Sequence, residues 1–365
     1  MSGKSRVYVW DNLKFLLMVF VVLGHFADCC IQEPFFKSIY LCIYAFHMPL
    51  FIFVSGLFHK NENIAKKVFS YMCLFWLLKI AFYVVQNYVL GAESAFSVFS
   101  EGGAPWFLLA LAVFILLSYA FREIDPKYVF AFSLIIGCFA GYDSSIGDFL
   151  ALSRIFVFYP FYVLGTMMQG KIRNGLEVSR AWKVSGVLVL LVWVWLCRYQ
   201  LERMYTYRGL FTGRNPFWEE IYSAGCLHRL LCYGISALTG VALIVLIPHR
   251  KIPVVSEFGG RTLQVYFWHW LLIAVLMKYP EGVGALCATS LGKAIYVLSA
   301  LGLHLHCLLR SLATRCLLCR RLGSRAAIRI RLYISEVLFI LSYILEVIVR
   351  KNFWKQNFQI YFTEN

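Results

Sequence analysis

Long apolar runs separated by short charged loops dominate this chain. Runs of spanning or near-spanning length lie at about 7–26, 36–57, 68–90, 106–121, 128–141, 152–168, 184–201, 224–247, 262–277, 292–309 and 332–349. A helix that crosses a bilayer needs roughly 20 mostly apolar residues. The pattern therefore predicts ten or eleven helices and an all-α polytopic membrane protein. The run at 128–141 is short and reads as tilted, partly buried or re-entrant. Pro49, Gly56, Pro160 and Gly165 fall inside runs, where such residues mark kinks or close helix contacts.

Composition agrees with the pattern. The 365 residues are 61% hydrophobic and only 15% charged, with mean hydropathy +0.70. A soluble chain of this size would expose far too much apolar surface. The net charge of +16 does not point to nucleic acid, because Lys and Arg cluster in alternate loops. With the N-terminus inside, the N-terminus and the loops near 58–67, 122–127, 169–183, 248–261 and 310–331 hold 21 Lys and Arg. The opposite loops and the tail hold eight. A cytoplasmic N-terminus follows from that asymmetry, and the expected location is the inner (cytoplasmic) membrane. No cleavable signal peptide is evident.

The twelve Cys are scattered, mostly in apolar runs where Cys behaves as a small hydrophobe, so disulfides are not expected to organise the fold. His304, His306, Cys316 and Cys319 only superficially resemble zinc-ligand spacing, and no metal site is expected. Gly-rich phosphate loops, a nucleophile elbow, a nucleotide fingerprint and internal repeats of the transporter kind do not stand out.

The first apolar run carries Asp11, Asn12, Lys14 and His25. Ionisable groups inside a bilayer are costly and mark functional sites by default. Lys14 and His25 are eleven positions apart, which at about 100° per residue returns to nearly the same helix face. Asp11 shares it, and Lys14 and His25 lie about 16 Å apart along the axis. His25 suits a general base toward an acceptor hydroxyl. Lys14 suits an anion, either a phosphate or a developing oxyanion, with Asp11 as its charge partner. The structural alternative is an Asp–Lys pair beside a packed His.

Three further constellations are candidates for substrate binding. His47 stands in Phe46-His-Met-Pro-Leu-Phe-Ile-Phe-Val-Ser-Gly56, where Pro49 bends the helix and Ser55-Gly56 admits a close neighbour. Arg154 opens Arg154-Ile-Phe-Val-Phe-Tyr-Pro-Phe-Tyr-Val-Leu-Gly165 and either binds an anion or snorkels to headgroups. His269 sits between Trp268 and Trp270 with Tyr266 one turn before it. His47 and His269 read equally well as packed core histidines. Lys79, His228 and Arg229 read as interfacial. The long loop 198–220 mixes Arg198, Arg203, Arg208 and Arg214 with six aromatic residues, suiting either a sugar or anionic acceptor or a headgroup belt.

Together these segments resemble the membrane acyltransferase-3 family, which includes bacterial sugar O-acetyltransferases. The resemblance rests on Asp11-x-x-Lys14 with His25, His47-Met-Pro-Leu-Phe with Ser55-Gly56, Pro105-Trp-Phe-Leu, the Arg154 segment, and Thr262-Leu-Gln-Val-Tyr-Phe-Trp-His269. It covers roughly residues 5–275. It implies transfer of an acyl group, usually acetyl, from cytoplasmic acyl-CoA to a hydroxyl of a cell-surface polysaccharide or its lipid-linked precursor. Acetyl-CoA is then a donor substrate and no cofactor is bound. In the family the position matching His25 is essential, and that matching Lys14 is often Arg, which grips phosphate with two donors rather than one point charge. Many relatives carry a fused extracellular esterase-like domain; the expectation here is direct transfer without one.

Residues 303–331 depart from the family's pattern. The division expected is a membrane acyltransferase domain at 1–300 and an atypical Arg- and Cys-rich segment with a last helix at 301–365. The expected partners are acyl-CoA, a glycan or lipid-linked sugar, and membrane lipids. With Lys14 nearer the cytoplasm, the polar stripe would line a pore for the pantetheine arm, and only the acyl group would cross. The rival reading is a transporter or flippase of a lipid-linked sugar that uses the same stripe. A non-catalytic assembly partner is a third.

Overall fold

The computed structural model describes residues 7–302 apart from 215, 264, 267, 268, 271, 272 and 274–279. The last predicted helix, the 303–331 segment with its His and Cys residues, and most of the predicted run 262–277 lie outside the described residues. Among those described, every regular element is helical, and strand-like pairing is limited to one isolated bridge, Ser100–Phe149.

The chain enters through α1 (Tyr8–Cys29) and returns through α2 (Pro34–Tyr44) and α3 (His47–Leu57). Then come α4 (Ile64–Val84), extended by a π-helical turn over Val85–Leu90, and α5 (Trp106–Ala120). The hairpin of α6 (Pro126–Phe139) and α7 (Leu152–Ile172) precedes α8 (Arg180–Tyr199). Short helices α9 (Leu201–Tyr205) and α10 (Arg208–Phe211) cap the bundle before α11 (Gly225–Leu246) and α12 (Val255–Phe258). Among the described residues, five helical segments are long and apolar enough to cross a bilayer: α1, α2 with α3, α4 with its π turn, α8, and α11 with the turn before it. This is a polytopic all-α membrane protein. Helices suit that setting because all their backbone polar groups pair within the segment.

Local chemistry fixes several helix starts. The Asp125 carboxylate accepts from the Lys127 amide at 2.9 Å, and Pro126 supplies the first helical residue of α6. Pro34 does the same for α2. The run 36–57, read as one span, is broken at Ala45–Phe46, ahead of His47 rather than at Pro49. Pro49 falls in the first turn of α3, where a missing N–H needs no helical partner.

Contacts far apart in the chain tie the ends of the bundle together. On the basic face, Trp10 Nε1 donates to the Arg173 carbonyl at 3.0 Å. On the other, the Glu101 amide donates to the Asp148 carbonyl at 2.8 Å, and Lys37 pairs with Glu202 at 2.9 Å.

Two glycines bring α3 and α7 into close contact. A Cβ on Gly56 would run into the Tyr162 carbonyl, and one on Gly165 would run into the Phe53 carbonyl, so each glycine admits the other helix's backbone. Gln169 Nε2 fastens the pair by donating to the carbonyls of Gly56 at 3.0 Å and His59 at 2.8 Å. Gly56→Ala is expected to force the helices apart at a cost of about 1–3 kcal/mol. The check is a lowered thermal midpoint in detergent by tryptophan fluorescence, with Ser55→Ala on the same helix as control; an unchanged midpoint for Gly56→Ala would refute the packing argument.

Candidate active site

The polar stripe of α1 is divided among three jobs. Asp11 Oδ1 and Lys14 Nζ form an ion pair at 2.9 Å. Asn12 works as a fastener: Nδ2 donates to the carbonyls of Pro248 at 2.8 Å and Arg250 at 3.1 Å, while Oδ1 accepts from Ser256 Oγ at 2.6 Å. These bonds pin the start of α1 to the loop before α12. Gly259 lets that segment close in, since a Cβ there would run into the Asp11 carbonyl. Lys14 and His25 are left to line cavities.

Those cavities are distinct. One, of about 380 Å³, opens on the basic face and is lined by Lys14, His59, Lys60, Lys67, Tyr71 and Tyr162 among apolar walls. His59 Nδ1 accepts from Tyr162 Oη at 2.8 Å and Nε2 donates to Asn61 Oδ1 at 2.8 Å. Burial lowers the His59 pKa against the Asn61 hydrogen bond, and the charge of Lys67 lowers it further. The second cavity, of about 410 Å³, lies toward the opposite face and is lined by His25, Asp28, Tyr44, His47, Arg154, Arg208, Arg214 and Trp270. The two share Val21, Met48 and Tyr266 as wall residues. Among the described residues, Val21, Met48 and Tyr266 thus stand between the Lys14 side and the His25 side.

Around His25 the structure gathers residues far apart in sequence. Its Nδ1 lies 3.1 Å from Tyr44 Oη. Its ring centroid is 4.7 Å from that of Trp270 and 5.4 Å from that of His269. His47 and His269 each turn Nδ1 to the carbonyl four residues earlier, Ile43 and Val265, both at 2.9 Å. A carbonyl accepts only, so Nδ1 carries the proton in both rings. The buried Trp270 Nε1 finds no hydrogen-bond acceptor among the described residues, and Trp270 lines the His25 cavity.

Arg154 and Tyr266 both line the second cavity, and both also bind its roof. Arg154 Nη1 donates to the Glu101 carbonyl at 3.0 Å and Nη2 to the Gly102 carbonyl at 3.1 Å, with Asp148 at 3.7 Å. Tyr266 Oη donates to the Ala104 carbonyl. Lys79 is no interfacial residue; it is buried, pairs with Glu101 at 3.2 Å and donates to the Ser100 carbonyl at 2.8 Å. Burial pushes the Glu101 carboxyl up, against the pull of the neighbouring Lys79. Arg229 is likewise buried rather than interfacial, because the carbonyls of Leu210 at 2.7 Å and Arg214 at 3.2 Å meet its guanidinium. His228 Nδ1 lies 3.2 Å from Tyr207 Oη.

The sequence reading passes over Tyr44, Asp28 and Trp270 as site residues. Asp28 pairs with Arg208 at 3.3 Å, and Arg208 lies 4.9 Å over the Tyr40 ring. In a chain that is 18% aromatic, one more Tyr or Trp carries no signal. Among the described residues no group of three or more His, Cys, Asp or Glu is placed to hold a metal ion.

Residues 7–292 match the family described as Acyltransferase domain. Among curated proteins, the chain is 26% identical over 221 residues to the nodulation protein NolL of Sinorhizobium fredii (strain NBRC 101917 / NGR234), covering 54% of this chain and 57% of that protein. It is 27% identical over 215 residues to the nodulation protein NolL of Mesorhizobium japonicum (strain LMG 29417 / CECT 9101 / MAFF 303099), covering 52% of this chain and 54% of that protein. The chain thus spans a little over half the length of the curated relatives it matches. No solved structure matches the chain.

Proposed function

This chain belongs to the acyltransferase family that matches residues 7–292, and from that membership we propose that it is an O-acetyltransferase of the cytoplasmic membrane. It takes an acetyl group from cytoplasmic acetyl-CoA and places it on a sugar hydroxyl of a cell-surface polysaccharide or its lipid-linked precursor. The observation that carries this reading is the pair of cavities on either side of Val21, Met48 and Tyr266, one basic and the other holding His25.

With the N-terminus inside, the basic cavity faces the cytoplasm. Lys14, Lys60 and Lys67 receive the CoA phosphates, and the pantetheine arm runs along α1 toward His25. The acceptor sugar enters the other cavity, where Tyr40, Tyr44 and Trp106 offer ring faces and Arg208 and Arg214 offer donors. His25 Nε2 takes the hydroxyl proton, for which Nδ1 must hold its own proton and donate it to Tyr44 Oη. The hydroxyl oxygen attacks the thioester carbonyl, and the oxyanion lies within the reach of the Trp270 N–H. Collapse breaks the C–S bond, and the imidazolium returns the proton to the leaving thiolate. The products are an acetyl ester and free CoA.

The test uses purified protein in nanodiscs, which leave both faces open, given radiolabelled acetyl-CoA and the host's surface-glycan fraction. Alkali-labile label in glycan is the expected result. Lys14→Met is expected to raise the KM for acetyl-CoA about tenfold with a smaller change in kcat, as loss of a ground-state phosphate contact does. No label from folded wild type with several glycan fractions would transfer the weight to a flippase of lipid-linked sugar or to another donor.

A further inference from the structure

Cys30 and Cys287 stand 257 residues apart in the chain, yet their sulfurs are 3.0 Å from each other and both side chains are buried. Cys30 caps α1, five residues past His25, and Cys287 ends the helix Pro280–Cys287. Other contacts fix their approach. Tyr296 Oη donates to the Phe26 carbonyl at 3.1 Å, and Lys293 pairs with Glu33 at 2.8 Å. The Tyr296 ring also packs against Phe26 and Phe36, with centroids 5.1 and 5.4 Å away. The segment 287–296 is therefore docked on the end of α1 by groups other than the thiols. A disulfide needs the sulfurs about 1 Å closer.

We propose that Cys30 and Cys287 form a disulfide in the working protein. The inference rests on the orientation proposed above, which puts both residues on the extracytoplasmic side, where disulfides form and persist. The bond requires an oxidant of the dithiol–disulfide oxidase class. One thiolate attacks the oxidase disulfide to give a mixed disulfide, and the second thiolate displaces the oxidase as a dithiol. Two protons and two electrons leave the cysteine pair, and the oxidase takes them up. Because both thiols end up buried, the exchange belongs to insertion, before residues 287–296 seat. The bond ties the His25 end of α1 to the segment that follows His269 and Trp270 in the chain.

The test starts from cells quenched in acid and N-ethylmaleimide, from which the full chain is purified and digested without reduction. The expected result is one linked peptide containing Cys30 and Cys287, about 2 Da lighter than its parts and separated by reductant. Cys29→Ser should leave the link in place. Cys30→Ser, Cys287→Ser and the double variant should lose it and share one lowered thermal midpoint, by roughly 5 °C or more. Alkylation of both thiols in the quenched wild type, or a Cys29–Cys287 link, overturns the proposal. Treating membranes with copper–phenanthroline then identifies the faulty premise. A link formed only by that oxidant means that the geometry holds and the proposed orientation fails. No link at all means that the geometry fails.

Discussion

His25→Ala is expected to lower acetyl transfer by about 10²–10⁴-fold, the range that a positioned general base contributes. That corresponds to roughly 3–5 kcal/mol of barrier. His25 lines the cavity beyond the Val21–Met48–Tyr266 layer and stands on the same helix as Lys14, which lines the other cavity. The KM for acetyl-CoA should hardly move, since the phosphates are proposed to sit against the other cavity. Tyr44→Phe removes the hydroxyl 3.1 Å from His25 Nδ1 and is expected to reduce kcat by about tenfold, because the tautomer that bares Nε2 loses its partner. Single-turnover transfer with labelled acetyl-CoA checks both variants. Full activity in His25→Ala would remove the imidazole from the mechanism.

Arg154→Met carries the second large effect. The guanidinium holds the carbonyls of Glu101 and Gly102, the buried Glu101 side chain is held by Lys79, and Gly102, Gly103 and Ala104 line the His25 cavity. Removing Arg154 frees that roof, and a misplacement of about 1 Å costs on the order of 10²-fold in rate. A drop of that size in kcat/KM is expected, together with faster proteolysis of the loop 91–105. Arg154→Lys should recover only part of it, since one ammonium cannot reproduce the planar fork that spans two carbonyls. If Arg154 instead bound an acceptor anion directly, the loss would appear in the acceptor KM with the loop as protease-resistant as in wild type. The two measurements together separate a positioning residue from a binding one.

Lys14, Arg154 and Lys79 show how much a sequence can say about a buried charge. Each marks a special place because charge in hydrocarbon is expensive. What each charge is for depends on the partner that meets it. Lys14 meets a carboxylate on its own helix, three residues away, so that pair is visible in the spacing. Arg154 meets carbonyls about fifty residues earlier, and Lys79 meets a loop carboxylate across a turn with no regular period. Nothing in either local pattern distinguishes a headgroup, a substrate or a loop as the counterpart. For the same reason Arg229 reads as interfacial in the sequence and is buried in the fold.

The sequence by itself determined the membrane, the helical class, the family and the polar face of α1. Apolar run length, charge asymmetry and helical period are properties of contiguous residues, and the bilayer imposes them directly on the chain. The Ser55-Gly56 reading belongs here too, although only the fold names Tyr162 as what the glycine admits. Tertiary structure decided the rest. It split the stripe into Asn12 as fastener, Lys14 in one cavity and His25 in another, and it set Tyr44, Trp270 and His269 around the imidazole. It also broke the second span ahead of His47 and brought Cys30 to Cys287. Those outcomes depend on how separate helices pack, and close packing joins residues whose separation along the chain obeys no period.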